Sequence, residues 1–528
     1  MSGRHSGLQL QKPRRGLPAP VWAALVGLAS GGFLAARLFV GGAIGMSDQG
    51  DGVRLLCSLG LRQGNPYNTS TTDYLYLTWY EHQWYGETCG ATGSGESYDS
   101  SQLWILSVAR WLTSVLGMPG ELDLRAVGIV FCVIVAVAMG LLFLVLPGSL
   151  VARLLALLAV MLVVADGAFA GYFVSAYSEP AALVGILALV LAAFVFWRAE
   201  RATWWAAALV GAACLFTITA KTQAASFLFT VIPLILWRPT FGDSIRARLA
   251  RRRQRGASVM RRHRLAAAVL SRWPALAISV VLIAATSAYL GAQPERFQVQ
   301  NSYAAVFIEM LPHSPNPEQD LTRLGLDPDL VSSSGVPINA PGSASQELSF
   351  FGFEDKTSPL QTTLIYLRQP FRLIGMMGRG LTGMGVLRAD YIYSYPTSAG
   401  NPPNSQECRI CVLQWTWKTV FGAAGFFIFL ATVAAIAICW RLAVIARDRR
   451  RAAVGAVGLL LATSSIVQFW VVMLTEGASD LIKHMVLANF MTALLLAVAG
   501  YSFYLLRTGK PAPVRPENVR PEATVDQM

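Results

Sequence analysis

AVGIVFCVIVAVAMGLLFLVLP, residues 126–147, is an apolar run without a single charged side chain. A helix rises 1.5 Å per residue, so about 20 such residues cross a hydrocarbon core about 30 Å thick. Working outward from it, comparable runs recur near 19–44, 151–172, 180–197, 204–220, 222–237, 274–291, 418–440, 452–474 and 481–506. Only helices or closed barrels satisfy their backbone in lipid, and runs of this length and composition are helical. The pattern predicts an all-α polytopic membrane protein with about 10 (9–12) transmembrane helices. The runs at 204–220 and 222–237 are short for the core, so they read as two short spans or a re-entrant pair. Of the 528 residues, 54% are hydrophobic and 14% charged, against about 25% charged in a soluble chain. Met1 to Pro20 shows no cleavable signal pattern.

The net charge of +13 is sorted by side, which argues against a nucleic-acid partner. Arg238 to Arg272 alone carries eleven arginines, an anchor on the cytoplasmic, anionic leaflet. That sorting gives a cytoplasmic basic N-terminus at 1–18, and a core at 19–291 with an extracytoplasmic loop at 45–125 and a basic cytoplasmic loop at 238–273. A second extracytoplasmic loop follows at 292–417, then helices at 418–506 and a disordered cytoplasmic tail at 507–528. Both termini fall inside. Cys132, Cys214 and Cys439 lie in apolar runs and read as packing residues. Cys57, Cys89, Cys408 and Cys411 fall outside, where up to two disulfides are allowed. Cys57 could pair with Cys89 or with one of the later two.

The outer loops carry the chemistry. The first holds amphipathic pieces, Tyr74 to Tyr85 and Leu103 to Leu116, expected on the membrane surface. Its aromatic residues suit interfacial anchoring or stacking on sugar rings. The second is long enough for a lid or recognition element. Asp48 and Asp51 stand three apart after the first run, with Arg54 three further on, on one face if helical. One carboxylate could act as a base toward an alcohol, or the pair could hold a divalent cation against a phosphate. A solvated turn with an N-cap is the plain alternative. Tyr177-Ser178-Glu179-Pro180 opens the fourth run, and Asp166 sits inside the third, where a carboxylate needs a polar partner.

Lys221 and Gln223 occupy the short outer turn between the fifth and sixth runs. A lysine there breaks the positive-inside trend and suits a lipid phosphate. Lys483 and His484 repeat the pattern at the last run, three and four residues after Asp480. An Asp480–Lys483 ion pair with snorkelling, and a structural role for His484, are the plain readings. No zinc-protease, P-loop or dinucleotide-binding motif is present.

Four segments, SDQGDGVR at 47–54, FVSAYSEPAAL at 173–183, AKTQ at 220–223 and EGASDLIKHMVLANF at 476–490, together resemble the GT-C class of membrane glycosyltransferases. More narrowly they are similar to WsfD-type bacterial glycan hexosyltransferases. The chain departs from that pattern at Ser47, where glycine is usual, at Gly52, where an aromatic is usual, and at Thr222, where proline is usual. The resemblance implies a GT-C-like bundle with two large extracytoplasmic loops in a bacterial plasma membrane. It implies transfer of a sugar, hexosyl or pentosyl, from a polyprenyl-phosphate donor to a cell-envelope glycan on the outer face. Asp51 would be the base, with Asp48 its partner or a metal ligand. Lys221, Lys483, His484 and Arg54 would bind the donor phosphate. Tyr177, Glu179, Gln223 and Asp480 would contact substrate. Alternatives are a lipid-linked glycan flippase or exporter, which needs a polar path through the midplane, and an O-antigen-type polymerase, for which Arg368, Arg372, Arg379 and Arg388 are the candidate residues.

Overall fold

The computed structural model describes residues 17–42, 46–47, 51–63, 76–77, 82–84, 98–118, 120–199, 203–237, 272–390, 392–393, 395, 401–402, 405–422 and 425–508. Helix α1 (Ala19–Phe39) is followed by the short α2 (Asp51–Ser58), the surface helix α3 (Gln102–Val115) and α4 (Leu124–Val145). Next come α5 (Leu150–Ala165), α6 (Gly167–Ala170), α7 (Glu179–Arg198), α8 (Trp204–Ile218) and α9 (Leu228–Trp237). Helix α10 (Trp273–Gly291) leads into the second long loop, which folds as α11 (Glu295–Tyr303), α12 (Pro317–Arg323), α13 (Phe353–Lys356), α14 (Pro359–Leu367), α15 (Pro370–Met384) and α16 (Val412–Phe421). The chain returns through α17 (Phe426–Ile445), α18 (Arg449–Thr475), α19 (Leu481–His484) and α20 (Val486–Thr508).

Among the described residues, seven helices (α1, α4, α7, α10, α17, α18 and α20) are long and apolar enough to span a bilayer. Helix α5 and residues 167–174, bent by 54° at Asp166, make either a broken eighth span or a re-entrant loop. The apolar stretches α8 and Thr222–Trp237 are shorter. The protein is thus an all-α polytopic membrane protein, with fewer full-length spans among the described residues than the ten apolar runs. The difference has local causes. Asp166 ends α5 because its carboxylate accepts from Ala168 N at 3.1 Å and from Leu413 N at 2.8 Å. That answers the polar partner a carboxylate in an apolar run requires. The last run is likewise interrupted, between α19 and α20. The run at 418–440 starts later than expected, at Phe426, because α16 is a separate helix.

The first long loop also differs from expectation. Leu103 to Leu116 is helical, as α3, with Trp104 and Trp111 exposed. Within Tyr74 to Tyr85, however, the described residues are strands. β1 (Met46–Ser47) pairs antiparallel with β3 (Tyr76–Leu77), and β2 (Leu61–Gln63) with β4 (His82–Trp84). The aromatic-rich sequence favours extended backbone once a partner strand is available.

Helix α1 packs against α4, skipping the two helices between them. Gly27 and Gly31 of α1 make a small-residue stripe one turn apart. A Cβ on Gly27 would lie 2.8 Å from Ala136 O, and one on Gly140 2.8 Å from Ala23 O. Backbones approach this closely only where side chains are absent. Helices α17, α18 and α20 pack mutually, and α7 packs on α8 and α18. Buried polar groups pair across α18: Ser226, just before α9, with Gln468 at 2.6 Å, Thr230 of α9 with Ser464 at 2.9 Å, and Ser465 with Thr492 of α20 at 2.7 Å. In lipid such bonds act as glue between helices.

The end of α1 that precedes the acidic loop is latched to residues 405–413. Arg37, buried in α1, donates to Ala165 O at 3.1 Å and pairs with the fully buried Glu407. Arg409 binds Glu407 at 2.8 Å and Gly42 O at 3.0 Å. Cys408 and Cys411 are disulfide-bonded to each other within this segment. Cys57 is also disulfide-bonded, and Cys89 lies outside the described residues. Cys132, Cys214 and Cys439 are free and buried.

Candidate active site

One end of the bundle holds an open cavity of about 360 Å³. Its floor comes from chain segments far apart in sequence. Asp51 begins α2, and Arg54, one turn on, donates to it at 3.2 Å, the three-residue spacing legible in the sequence. Lys483 of α19 closes on the other oxygen of Asp51. Its ammonium also lies 3.5 Å from Asp480 and 5.5 Å from the centre of the Tyr177 ring. Lys221, in the turn after α8, pairs with Glu179 of α7 at 2.6 Å. Arg54 rests over the Phe297 ring at 4.5 Å, and Tyr98 meets Phe297 edge-on.

The third cluster is Glu476, His484 and Gln223. Gln223 Nε2 donates to Glu476, and His484 Nδ1 pairs with the same carboxylate. Two backbone features bring this segment in. Gly477 has φ +62°, and any Cβ there would collide with the Glu309 side chain. It therefore lets the turn lie directly on the π-helical stretch Ala304–Met310. Asp480 adopts φ +45°, an uncommon backbone for a non-glycine residue. It starts α19 and aims Lys483 and His484 back at the cavity.

The electrostatics follow from these pairs. Burial raises the Asp51 carboxyl, but Lys483, Arg54 and Lys221 outweigh it and hold it well below the usual carboxylate range. Burial opposes ionisation of Glu476 too, and His484 overcomes it, so its carboxyl also titrates low. Burial depresses the Lys221 ammonium while Glu179 more than restores it. Burial pushes the Tyr98 phenol up. The floor is thus a row of cations held by the protein's own carboxylates. An arriving anion with more oxygens can share or displace those carboxylates.

Of the residues singled out in the sequence, Asp51, Arg54, Lys221, Lys483 and His484 line the cavity. Glu179, Gln223 and Tyr177 sit behind it, buried, and support Lys221, Glu476 and Lys483 respectively. Asp480 flanks Lys483. Asp48 lies outside the described residues. Both Asp51 oxygens are taken by cationic side chains, a setting that suits an anion rather than a second cation. No cluster of three or more metal-type side chains occurs among the described residues. The four outer-loop arginines lie away from the cavity lining. Arg372 pairs with Asp320 at 2.6 Å, Arg379 with Glu309, and Arg388 donates to Gly167 O and Glu407 O at 2.9 Å each.

The sequence reading missed Glu476, Tyr98 and the whole opposite wall, Phe297, Gln300, Asn301 and Pro337 to Asn339. Glu476 heads the last motif and could have been found there. The wall residues carry no charge pattern that would have marked them.

Residues 20–508 match the family model described as "YfdI N-terminal transmembrane domain". The chain belongs to that family. No curated protein and no solved structure matches it.

Proposed function

We propose that this protein is an inverting, GT-C-type glycosyltransferase that moves a sugar from a polyprenyl-phosphate carrier to a cell-envelope glycan. The observation that carries the reading is the convergence of Asp51, Arg54, Lys221 and Lys483 on one open cavity at the end of a membrane bundle. Arg449 to Arg451, at the end of α18 away from the cavity, and the arginine-rich sequence 238–272 support a cavity facing out of a bacterial plasma membrane with both termini inside. The similarity of the four motifs to WsfD-type hexosyltransferases supports the same donor class.

The donor phosphate binds the three cations. Asp51 takes the proton from an acceptor hydroxyl as its oxygen bonds to the anomeric carbon. The bond from that carbon to the phosphate oxygen breaks, and its electron pair leaves with the polyprenyl phosphate. The cations stabilise that developing charge. Alone, Asp51 is a weak base, because its neighbours favour its ionised form. A docked phosphate claims part of their charge, which raises the basicity of Asp51 when substrate is present. Glu179 and Gln223 hold the lysine and the Glu476–His484 pair in place.

The test is a transfer assay on purified protein with radiolabelled polyprenyl-phosphate sugars and an envelope-glycan acceptor. Label reaching the glycan with wild type but not with Asp51→Asn is the expected result. Donor crossing reconstituted vesicles without any transfer would overturn the enzyme reading in favour of a flippase.

A further inference from the structure

The wall facing the cations has a different chemistry. Phe297, Gln300, Asn301, Ala304 and Ile308 line the cavity at intervals that place them on one helical face. Next to them comes the turn Pro337-Ile338-Asn339. That turn is fixed on a buried tyrosine. Tyr303 donates to Val336 O at 2.9 Å and accepts from Ser343 at 3.0 Å, and Ser345 donates to Ile338 O at 2.7 Å. Gln300 and Asn301 on α11, and Asn339 on the turn tied to that helix through Tyr303, therefore bring three side-chain amides to the cavity lining. None of the three makes a side-chain hydrogen bond among the described residues, and of the charged lining residues Arg54 touches this wall, at Phe297.

We propose that this amide wall is a second subsite, which takes an uncharged, hydroxyl-bearing ring while the cations hold a phosphate. Deepening the glycosyltransferase reading, on which it rests, it selects neutral sugars. An amide offers a donor and an acceptor side by side, the complement of a hydroxyl, which is both. A carboxylate-bearing ring seated on the three amides would find no cation among them and would lose hydration that amides replace poorly. The cavity then reads as two-ended: an anion at Arg54, Lys221 and Lys483, and a polyol at Gln300, Asn301 and Asn339. The ring belongs to the donor sugar or to the acceptor glycan, and binding distinguishes them.

The experiment is equilibrium binding to the full chain in nanodiscs. The probes are polyprenyl phosphate, polyprenyl-phosphate hexose, polyprenyl-phosphate hexuronate and a water-soluble neutral oligosaccharide. A double Asn301→Ala, Asn339→Ala variant and a separate Gln300→Ala variant are compared with wild type. Loss of one neutral hydrogen bond weakens binding by about fivefold. If the ring is the donor's, wild type prefers the hexose lipid to bare lipid phosphate by about tenfold or more, and that ratio falls toward one in the double variant. If it is the acceptor's, the double variant instead loses oligosaccharide affinity. A hexose preference and oligosaccharide affinity that both survive in the variants overturn the subsite and leave the glycosyltransferase reading standing. If the ring is the donor's, equal wild-type affinity for hexose and hexuronate lipids overturns the selection of neutral sugars. Failure of wild type to bind any phosphate lipid overturns both.

Discussion

Asp51 and Lys483 stand 432 residues apart in the chain and in direct contact in the fold. If Asp51 is the base, Asp51→Asn should lower transfer by about 10²–10⁴-fold with an unchanged elution profile in size-exclusion chromatography. Lys483 keeps Asp480 and the Tyr177 ring as neighbours in that variant. An active, well-folded Asp51→Asn protein would remove Asp51 from the mechanism. Lys483→Gln should weaken polyprenyl-phosphate binding by about 10–100-fold, the worth of a charge-assisted bond. Acid stability offers an independent check. Asp51 and Glu476 both titrate lower in the folded chain than free carboxylates do. Their stabilisation is full above the unfolded value, about 4, and is lost as pH falls through the folded one. Melting in detergent should therefore be level from neutral pH to about 5 and drop below about 4, with a shallower acid drop in Glu476→Gln. An equally steep drop in that variant would refute the assignment. The charged half of the cavity was legible in the sequence because lysines in short outer turns break a statistical rule. The amide half was not, since Gln300, Asn301 and Asn339 are ordinary loop residues until the turn at Tyr303 gathers them.

The elements were legible where apolar runs were long, and misread where one polar residue redirected the backbone. Asp166 splits a run that hydropathy joins, because it binds Leu413, a partner 247 residues away. Tyr76–Leu77 and His82–Trp84 form strands only because residues 46–47 and 61–63 supply partner edges, and pairing of that kind has no local signature. The α1–α4 crossing yields a prediction at this scale. Gly140→Val would press a side chain onto Ala23 O and should destabilise the pair by about 1–3 kcal/mol. Gly32, one residue from the stripe, has nothing within 4 Å of its missing Cβ. Gly32→Ala should leave thermal stability within about 0.5 kcal/mol of wild type. Equal melting temperatures for both variants would show that the close approach is not what holds the helices.

At the scale of the molecule, the two ends of the bundle differ in charge, and that difference sets the expected orientation. Glu347, exposed in the second long loop, and Arg450, exposed at the start of α18, can report it. Glu347→Cys should react with a membrane-impermeant maleimide in intact cells, and Arg450→Cys only after permeabilisation. The reverse pattern would put the cavity inside. The general plan of a multi-span bundle with a loop-borne site was readable from composition and motif order. The latch of Arg37, Glu407 and Arg409 was not, because it joins residues that read separately as a buried charge and two loop charges. The long reach of the Asp51–Lys483 contact has a consequence for synthesis. Translation proceeds at about 5–20 residues per second, so Asp51 emerges tens of seconds before the lysine that neutralises it. Throughout that interval the nascent chain carries an incomplete site. A ribosome that stalls before α19 leaves Asp51 paired with Arg54 but not with Lys483, so a segment made near the end of the chain finishes what the first loop began.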